Sequence, residues 1–193
     1  DPLQVGLAFL PATLAMGTMS LKVSDRVNLR FGPKNVLIPA LLFIGVGLLL
    51  FARTPVDGSF AVDIMPPMIL MGLGAGLGFP ALMTLAMSGA TMEDSGLASG
   101  LVNTSVQVGG AIGLAVLATL ATERSDALIA DGTSTDAALN SGYHLAYLIG
   151  AALVAVALVV TLLVLRSEPQ AEVEELEREA GRAQAEAALS EAA

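Results

Sequence analysis

The feature that most constrains this chain is a series of five long hydrophobic stretches with almost no charge. About 20 mostly apolar helical residues cross the hydrocarbon core of a bilayer, and five segments approach or exceed that length, at residues 3–21, 35–52, 64–88, 97–122 and 143–165. Several are apolar on every side, as expected for helices surrounded by lipid and other helices. They show no strict alternation and are too long for membrane β-strands of about 10 residues. We therefore predict an all-α integral membrane protein with about five transmembrane helices.

The composition excludes several classes of function. Only 14% of the residues are charged, against roughly 25% in soluble domains, and no basic patch is present to bind nucleic acid. The chain has no cysteine and one histidine, His144, which is predicted to lie at a helix entrance beside Ser141 and Gly142. A metal site or a catalytic triad would depend on that one residue, and a serine without a base is not an activated nucleophile. We predict no enzymatic activity, no metal and no cofactor.

The basic residues predict the orientation, because short loops rich in Lys and Arg stay in the cytoplasm. With alternating helices, the first loop, the turn at residues 89–96 and the tail share one face. That face collects Lys22, Arg26, Arg30, Lys34, Arg166, Arg178 and Arg182, and the opposite face keeps Arg53 and Arg124. We expect a transmembrane region over residues 1–166 and an acidic cytoplasmic tail over 167–193, in which Glu174 and Arg178 are spaced to pair along a helix. An amino end outside the cell, followed by five helices, predicts that upstream helices are missing.

The first predicted loop carries a recognisable sequence, Arg30-Phe31-Gly32-Pro33-Lys34. It resembles the loop signature of the major facilitator superfamily, in its C-terminal copy, where glycines, an aspartate–arginine pair and basic residues link two helices on the cytoplasmic side. In this alignment Asp25 takes the place of the first glycine and Leu29 that of the aspartate. The residues assigned to the signature are Asp25, Arg26, Arg30, Gly32 and Lys34.

Three further stretches, at residues 2–11, 72–80 and 100–113, resemble the branch of drug/proton antiporters with fourteen helices. Their order and spacing match the last five helices, so the resemblance implies most of the C-terminal half of a major-facilitator-type bundle. It further implies proton-coupled efflux of drugs or other small amphipathic molecules across the cell membrane. The implied partners are the lipid bilayer, a small-molecule substrate, protons and the missing N-terminal transporter helices. The alternatives are a metabolite carrier of the same superfamily and a truncated membrane module that does not transport.

Glycines at intervals of four residues predict close helix packing, because helices in lipid approach through small residues. The pairs are Gly72 with Gly76, Gly74 with Gly78, and Gly109 with Gly113. They permit either fixed packing or a surface on which helices slide during alternating access. Pro80 predicts a bend in the third helix, either fixed or acting as a hinge.

The fourth helix carries polar side chains on one face, since Ser99, Asn103 and Gln107 recur every four residues, with Thr104 beside them. Polar groups at membrane depth avoid lipid. The row is therefore a candidate wall of the substrate path, or a set of interhelical hydrogen bonds. Every acid is expected in a loop, at a helix end or in the tail, whereas proton coupling requires a buried carboxylate in the membrane. The coupling acid is therefore predicted to lie upstream.

Overall fold

The computed structural model describes residues 2–91 and 93–165, with side chains from residue 6 onward. Within those ranges every regular element is helical. Five of the helical segments are long and apolar enough to cross a membrane, which confirms the predicted all-α fold. The predicted tail, with Glu174 and Arg178, lies outside the described residues.

The elements are α1 (Pro2–Thr18), a π-helical segment (Met19–Ser24), α2 (Asp25–Phe31), α3 (Pro33–Phe51), a second π-helical segment (Phe60–Ile64), α4 (Met65–Met87), α5 (Ser95–Ala130) and α6 (Thr135–Val164).

Helix α4 is the centre of the bundle and packs against both α1 and α3, while α6 packs against α3 and α5. A small buried core joins α3 to α4 through Val36, Leu37, Ala40, Leu77 and Ala81. Most other large apolar side chains point outward, as expected where hydrocarbon replaces water as the solvent. Helix α5 is the extreme case, because it lies at the edge of the bundle and Leu114 near its middle is 72% exposed.

The first helix does not end where the charged residues begin. The loop predicted for residues 22–34 is corrected: the chain stays helical from Pro2 to Phe31 and breaks only at Gly32. Arg26 and Asn28 are held inside this helix by bonds to the preceding turn, from Arg26 to the Lys22 carbonyl and from Asn28 to the Ser24 hydroxyl. Gly32 then adopts φ 78° and ψ 148°, a conformation that is almost restricted to glycine. Polar side chains thus end the hydrophobic stretch without ending the helix.

The last two helices are both longer than predicted. α5 runs to Ala130 instead of residue 122, and α6 starts at Thr135 instead of residue 143. The connection shrinks to residues 131–134 and contains Asp131, whereas the other charged residues between residues 122 and 137 lie on helix ends that extend beyond the apolar stretches. Gly132 forms this turn with a positive φ of 88°. His144 is consequently inside α6 rather than at its entrance, which corrects that placement.

Candidate functional site

The polar row on α5 makes no hydrogen bond to another helix among the described residues. Ser99, Asn103, Thr104 and Gln107 are all exposed. Asn103 donates its amide to the Ser99 carbonyl at 3.1 Å, and Thr104 donates its hydroxyl to the Gly100 carbonyl at 2.8 Å. Both bonds stay within one turn of α5. The interhelical hydrogen bonds that were the alternative interpretation are therefore not formed inside this part of the bundle.

The direction of the polar row follows from the regular geometry of α5. Ala121 follows Asn103, and Ser125 follows Gln107, by the same interval, which is about five full turns at roughly 3.6 residues per turn. In a straight helix the polar row therefore points the same way as Ala121 and Ser125. Those two residues are buried against α6.

Helix α5 leaves the bundle toward its amino end. At its other end, Ala121 and Ser125 lie so close to Gly142 of α6 that a methyl group on Gly142 would overlap them. Gly100, Gly109, Gly110 and Gly113 have only open space within 4 Å of the position a methyl group would take. The predicted packing pair Gly109 and Gly113 thus has no partner in the described bundle. The polar row thus shares the side of α5 that meets α6 farther along the helix, its inner side, and it lies on the half of α5 that carries these open glycines.

The glycines of α4 present two different faces to two different helices. Gly72 and Gly76 lie against the backbone of α1 at Ala12 and Met16. Gly74 and Gly78 lie on the other side against α3, where a methyl group on Gly74 would be 2.7 Å from the Ala40 carbonyl oxygen. The two interleaved four-residue spacings therefore bring three helices together through one central helix.

Pro80 lies within α4, and the helix continues on both sides of it to Met87. Its missing N–H deprives the carbonyl four residues earlier, that of Gly76, of its usual helical donor. Thr84 donates its hydroxyl to the Pro80 carbonyl at 3.0 Å. The proline thus lies one turn from the tightest contacts between α4 and α1.

The signature residues of the first connection do not form one cluster. Lys34 donates its ammonium group to the carbonyl oxygen of Leu165, just after α6 ends. A cation at a helix C-terminus satisfies an unpaired carbonyl and opposes the helix dipole. Arg30 lies over the ring of Phe31, and Asp25 is exposed in the first turn of α2. Lys34 therefore links the start of α3 to the end of α6.

Sequence reasoning missed a second link, at the opposite end of α3. The carbonyl oxygen of Thr54, in the connection after α3, accepts hydrogen bonds from Asn140 at 3.0 Å and from the ring of His144 at 2.8 Å. The two donors lie one turn apart on α6 and so reach the same atom. The four-residue spacing of Asn140 and His144 was the available signal, but the acceptor could not be read from it. His144 thus has a structural partner, and the described residues include no group of three potential metal ligands.

This shared acceptor predicts a non-additive pair of substitutions. Asn140→Ala or His144→Ala alone leaves Thr54 with one donor, so each should cost only about 0.5–1.5 kcal/mol. The double variant leaves the half-buried carbonyl with neither donor, and should cost more than the sum of the single variants. Amide hydrogen exchange at residues 54–59 measures this, with Tyr143→Phe as the control on the same stretch of α6. Strict additivity would show that the carbonyl finds water instead.

The sequence of this chain is similar to those of known proteins. The family model of the Major Facilitator Superfamily matches residues 1–192. The chain is 32% identical to a puromycin resistance protein of Streptomyces alboniger, over 87% of this chain and 35% of that protein. It is 38% identical to a cephamycin export protein of Amycolatopsis lactamdurans, over 61% and 24%, and 34% identical to a lincomycin resistance protein of Streptomyces lincolnensis, over 60% and 24%.

No solved structure matches the chain, and the chain spans 35% or less of the length of these three relatives. The family model nevertheless covers nearly all of it. The five long apolar helices have the length and composition that a multi-pass membrane protein needs. On both grounds, the chain belongs to the major facilitator superfamily.

Proposed function

We propose that this chain is part of a secondary active transporter that exports small, drug-like organic molecules across the cell membrane. The observation that carries the proposal is the polar row of Ser99, Asn103 and Gln107, which lies on the inner side of α5 and is not used for packing in the described bundle. A transporter needs such groups to bind and release a partly polar solute within a membrane. The names of the relatives, which refer to resistance to or export of antibiotics, support the same class of substrate.

The open half of α5 also supports the proposal that further helices complete the transporter. A polar row facing hydrocarbon would be costly, so we assign the inner side of α5 to a substrate path shared with transporter helices outside this chain. In this arrangement the contact at Gly142 fixes one end of α5, and the free end forms part of the cavity wall. The distribution of basic residues supports the further proposal that the Lys34 link and the tail lie on the cytoplasmic side.

We further propose that export is coupled to protons by a carboxylate outside this chain. The acids of the described helices lie near helix ends, as Glu123 and Asp126 do in the last two turns of α5, or in the charged start of α2, as Asp25 does. None lies in the middle of an apolar span within the described ranges. Replacing every upstream intramembrane carboxylate of the full-length protein should therefore abolish uncoupler-sensitive efflux. Efflux that remains proton-coupled after those changes would place the coupling acid elsewhere.

The substrate-path assignment predicts a loss of export when the polar row is removed. Asn103→Ala and Gln107→Ala, made in the full-length protein, should each weaken substrate binding by roughly 2- to 10-fold, the loss expected for one uncharged hydrogen bond. The measurement is dye or drug efflux from cells, together with binding to the purified protein.

Ser105→Ala is the matched control for these two variants. Ser105 is a polar residue on the opposite side of α5, and its hydroxyl bonds to the Leu101 carbonyl at 2.8 Å. Efflux and binding by Asn103→Ala and Gln107→Ala that equal those of Ser105→Ala, at equal expression, would remove the polar row from the substrate path. The superfamily membership would stand in that case.

A further inference from the structure

A groove runs between α3 and α6 on the outer surface of the bundle. Its volume is about 170 Å³, and its walls include Leu42 and Leu49 of α3 and Leu158 of α6. Its lining also includes small residues, Gly45 of α3 with Ala151 and Ala155 of α6. At Gly45 the helices come into ordinary contact, since a methyl group there would lie 3.5 Å from Val154. The groove is therefore a shallow apolar channel between the two helices.

The lining of the groove distinguishes it from the inner side of α5. Every residue that lines it is aliphatic or glycine, whereas α5 presents amide and hydroxyl groups. Helix partners in a membrane associate through polar side chains or through close backbone approach. The first is absent from this lining, and Gly45 makes no close backbone approach to α6, because a methyl group added there would make only an ordinary contact with the Val154 side chain. The chemistry of the channel matches hydrocarbon.

The length and position of the groove match one leaflet. From Leu41 to Leu49 it extends about 12 Å along α3, at roughly 1.5 Å per residue, and one leaflet contributes about 15 Å of hydrocarbon. Helix α3 ends at Phe51, so we expect the far end of the groove to lie near the boundary between hydrocarbon and head groups. Phe51 and Tyr147 stack at that end with ring centroids 5.2 Å apart, and tyrosine is enriched at this depth.

A cation lies where the groove reaches that boundary. Arg53 is one turn beyond Leu49 in the sequence, and it is exposed. Its guanidinium group makes no ion pair within the described ranges, although Asp57 lies in the same connection and Asp63 in the π-helical segment that follows it. A guanidinium group binds a phosphate through paired N–H donors.

We propose that the α3–α6 groove is a phospholipid site, in which Leu42, Gly45 and Ala155 hold an acyl chain and Arg53 binds the phosphate. A phospholipid can fill the groove with an acyl chain and reach Arg53 with its phosphate, because the phosphate lies just beyond the head-group ends of its chains. The site belongs to the leaflet on the Arg53 side of the membrane. It requires neither the transport activity nor the substrate path proposed above.

The test measures lipid binding to the full-length protein in detergent by native mass spectrometry. The probes are palmitoyl-oleoyl phosphatidylcholine and palmitoyl-oleoyl glycerol, which share their chains and differ by the phosphate and head group. Arg53→Gln should weaken phosphatidylcholine binding by roughly 10-fold, as expected for a charge-assisted bond, and leave diacylglycerol binding unchanged. Ala155→Phe fills the channel at an exposed position and should weaken the binding of both probes.

Arg124→Gln is the matched control, because Arg124 is another exposed arginine, near the carboxyl end of α5, a helix that contributes no residue to the groove. It should bind phosphatidylcholine like the unmodified protein. The proposal is overturned if Arg53→Gln and Arg124→Gln have the same effect, or if Ala155→Phe leaves the binding of both lipids unchanged. Arg53→Lys, which keeps the charge and loses the paired donors, should bind with intermediate affinity.

Discussion

Replacing Gly76 with alanine is expected to destabilise the protein far more than replacing Gly78 with alanine on the same helix. A methyl group on Gly76 would lie 2.5 Å from the carbonyl oxygen of Met16, which belongs to the backbone of α1 and can yield only if the whole helix moves. A methyl group on Gly78 would meet the side chain of Ala40 at 3.2 Å, so a small adjustment suffices. Overpacking costs about 1–3 kcal/mol, and we expect Gly76→Ala at the top of that range or above it.

Thermal unfolding of the purified full-length protein in detergent measures this difference. Gly150→Ala is the neutral reference, because a methyl group there would make an ordinary contact with Leu48 at 3.5 Å. The expected order of stability is Gly150→Ala, then Gly78→Ala, then Gly76→Ala as the least stable. Equal melting temperatures for the last two would mean that α1 and α4 are not in close backbone contact in the intact protein.

The same contacts explain what the sequence could and could not predict about the glycines. The spacing of four residues correctly marks one face of a helix, and it is identical in Gly72 with Gly76 and in Gly109 with Gly113. Only the first pair meets another helix among the described residues. Spacing describes the helix that carries the glycines and contains no information about the partner, which is contributed by α1, distant in the sequence.

The end of the first helix could not be predicted from hydropathy. Hydropathy locates the membrane-spanning stretch, so the existence and order of all five long helices were predicted correctly. It does not locate the helix end, since Arg26 and Asn28 bond to the preceding turn and continue the helix beyond the apolar residues. The ends of α5 and α6 were underestimated for the same reason. The break at Gly32 could be read locally, because glycine followed by proline is a strong stop signal.

The two long-range hydrogen bonds could not be predicted from the sequence, for a physical reason. Lys34 bonds to the Leu165 carbonyl, and His144 bonds to the Thr54 carbonyl. A backbone carbonyl is present at every residue, so no side-chain pattern in the sequence marks the acceptor. The polar row on α5 was easier to detect, because its members share one helix and side-chain type alone identifies them. Its orientation became clear only from the contact of Ala121 and Ser125 with Gly142.

That contact leads to the second large effect, expected for Gly142→Ala. The added methyl group would overlap both the Ser125 hydroxyl and the Ala121 carbonyl oxygen, and it would push α5 away from α6 at the end where they are joined. We expect a loss of stability of about 1–3 kcal/mol. Because α5 carries the polar row, we also expect efflux to fall even where the variant remains folded.

A second substitution separates the effect of the Ser125 hydroxyl from that of the Ala121 carbonyl. Ser125 donates its hydroxyl to the Ala121 carbonyl at 2.8 Å within α5, so Ser125→Ala removes one of the two overlapping groups at the cost of one local bond. The double variant Gly142→Ala with Ser125→Ala should recover part of the lost melting temperature, and the Ala121 carbonyl should prevent full recovery. Gly150→Ala is the control, because Gly150 lies on α6 but faces Leu48 of α3 instead of α5. A double variant no more stable than Gly142→Ala alone would show that the backbone of Ala121, rather than Ser125, sets the distance between α5 and α6.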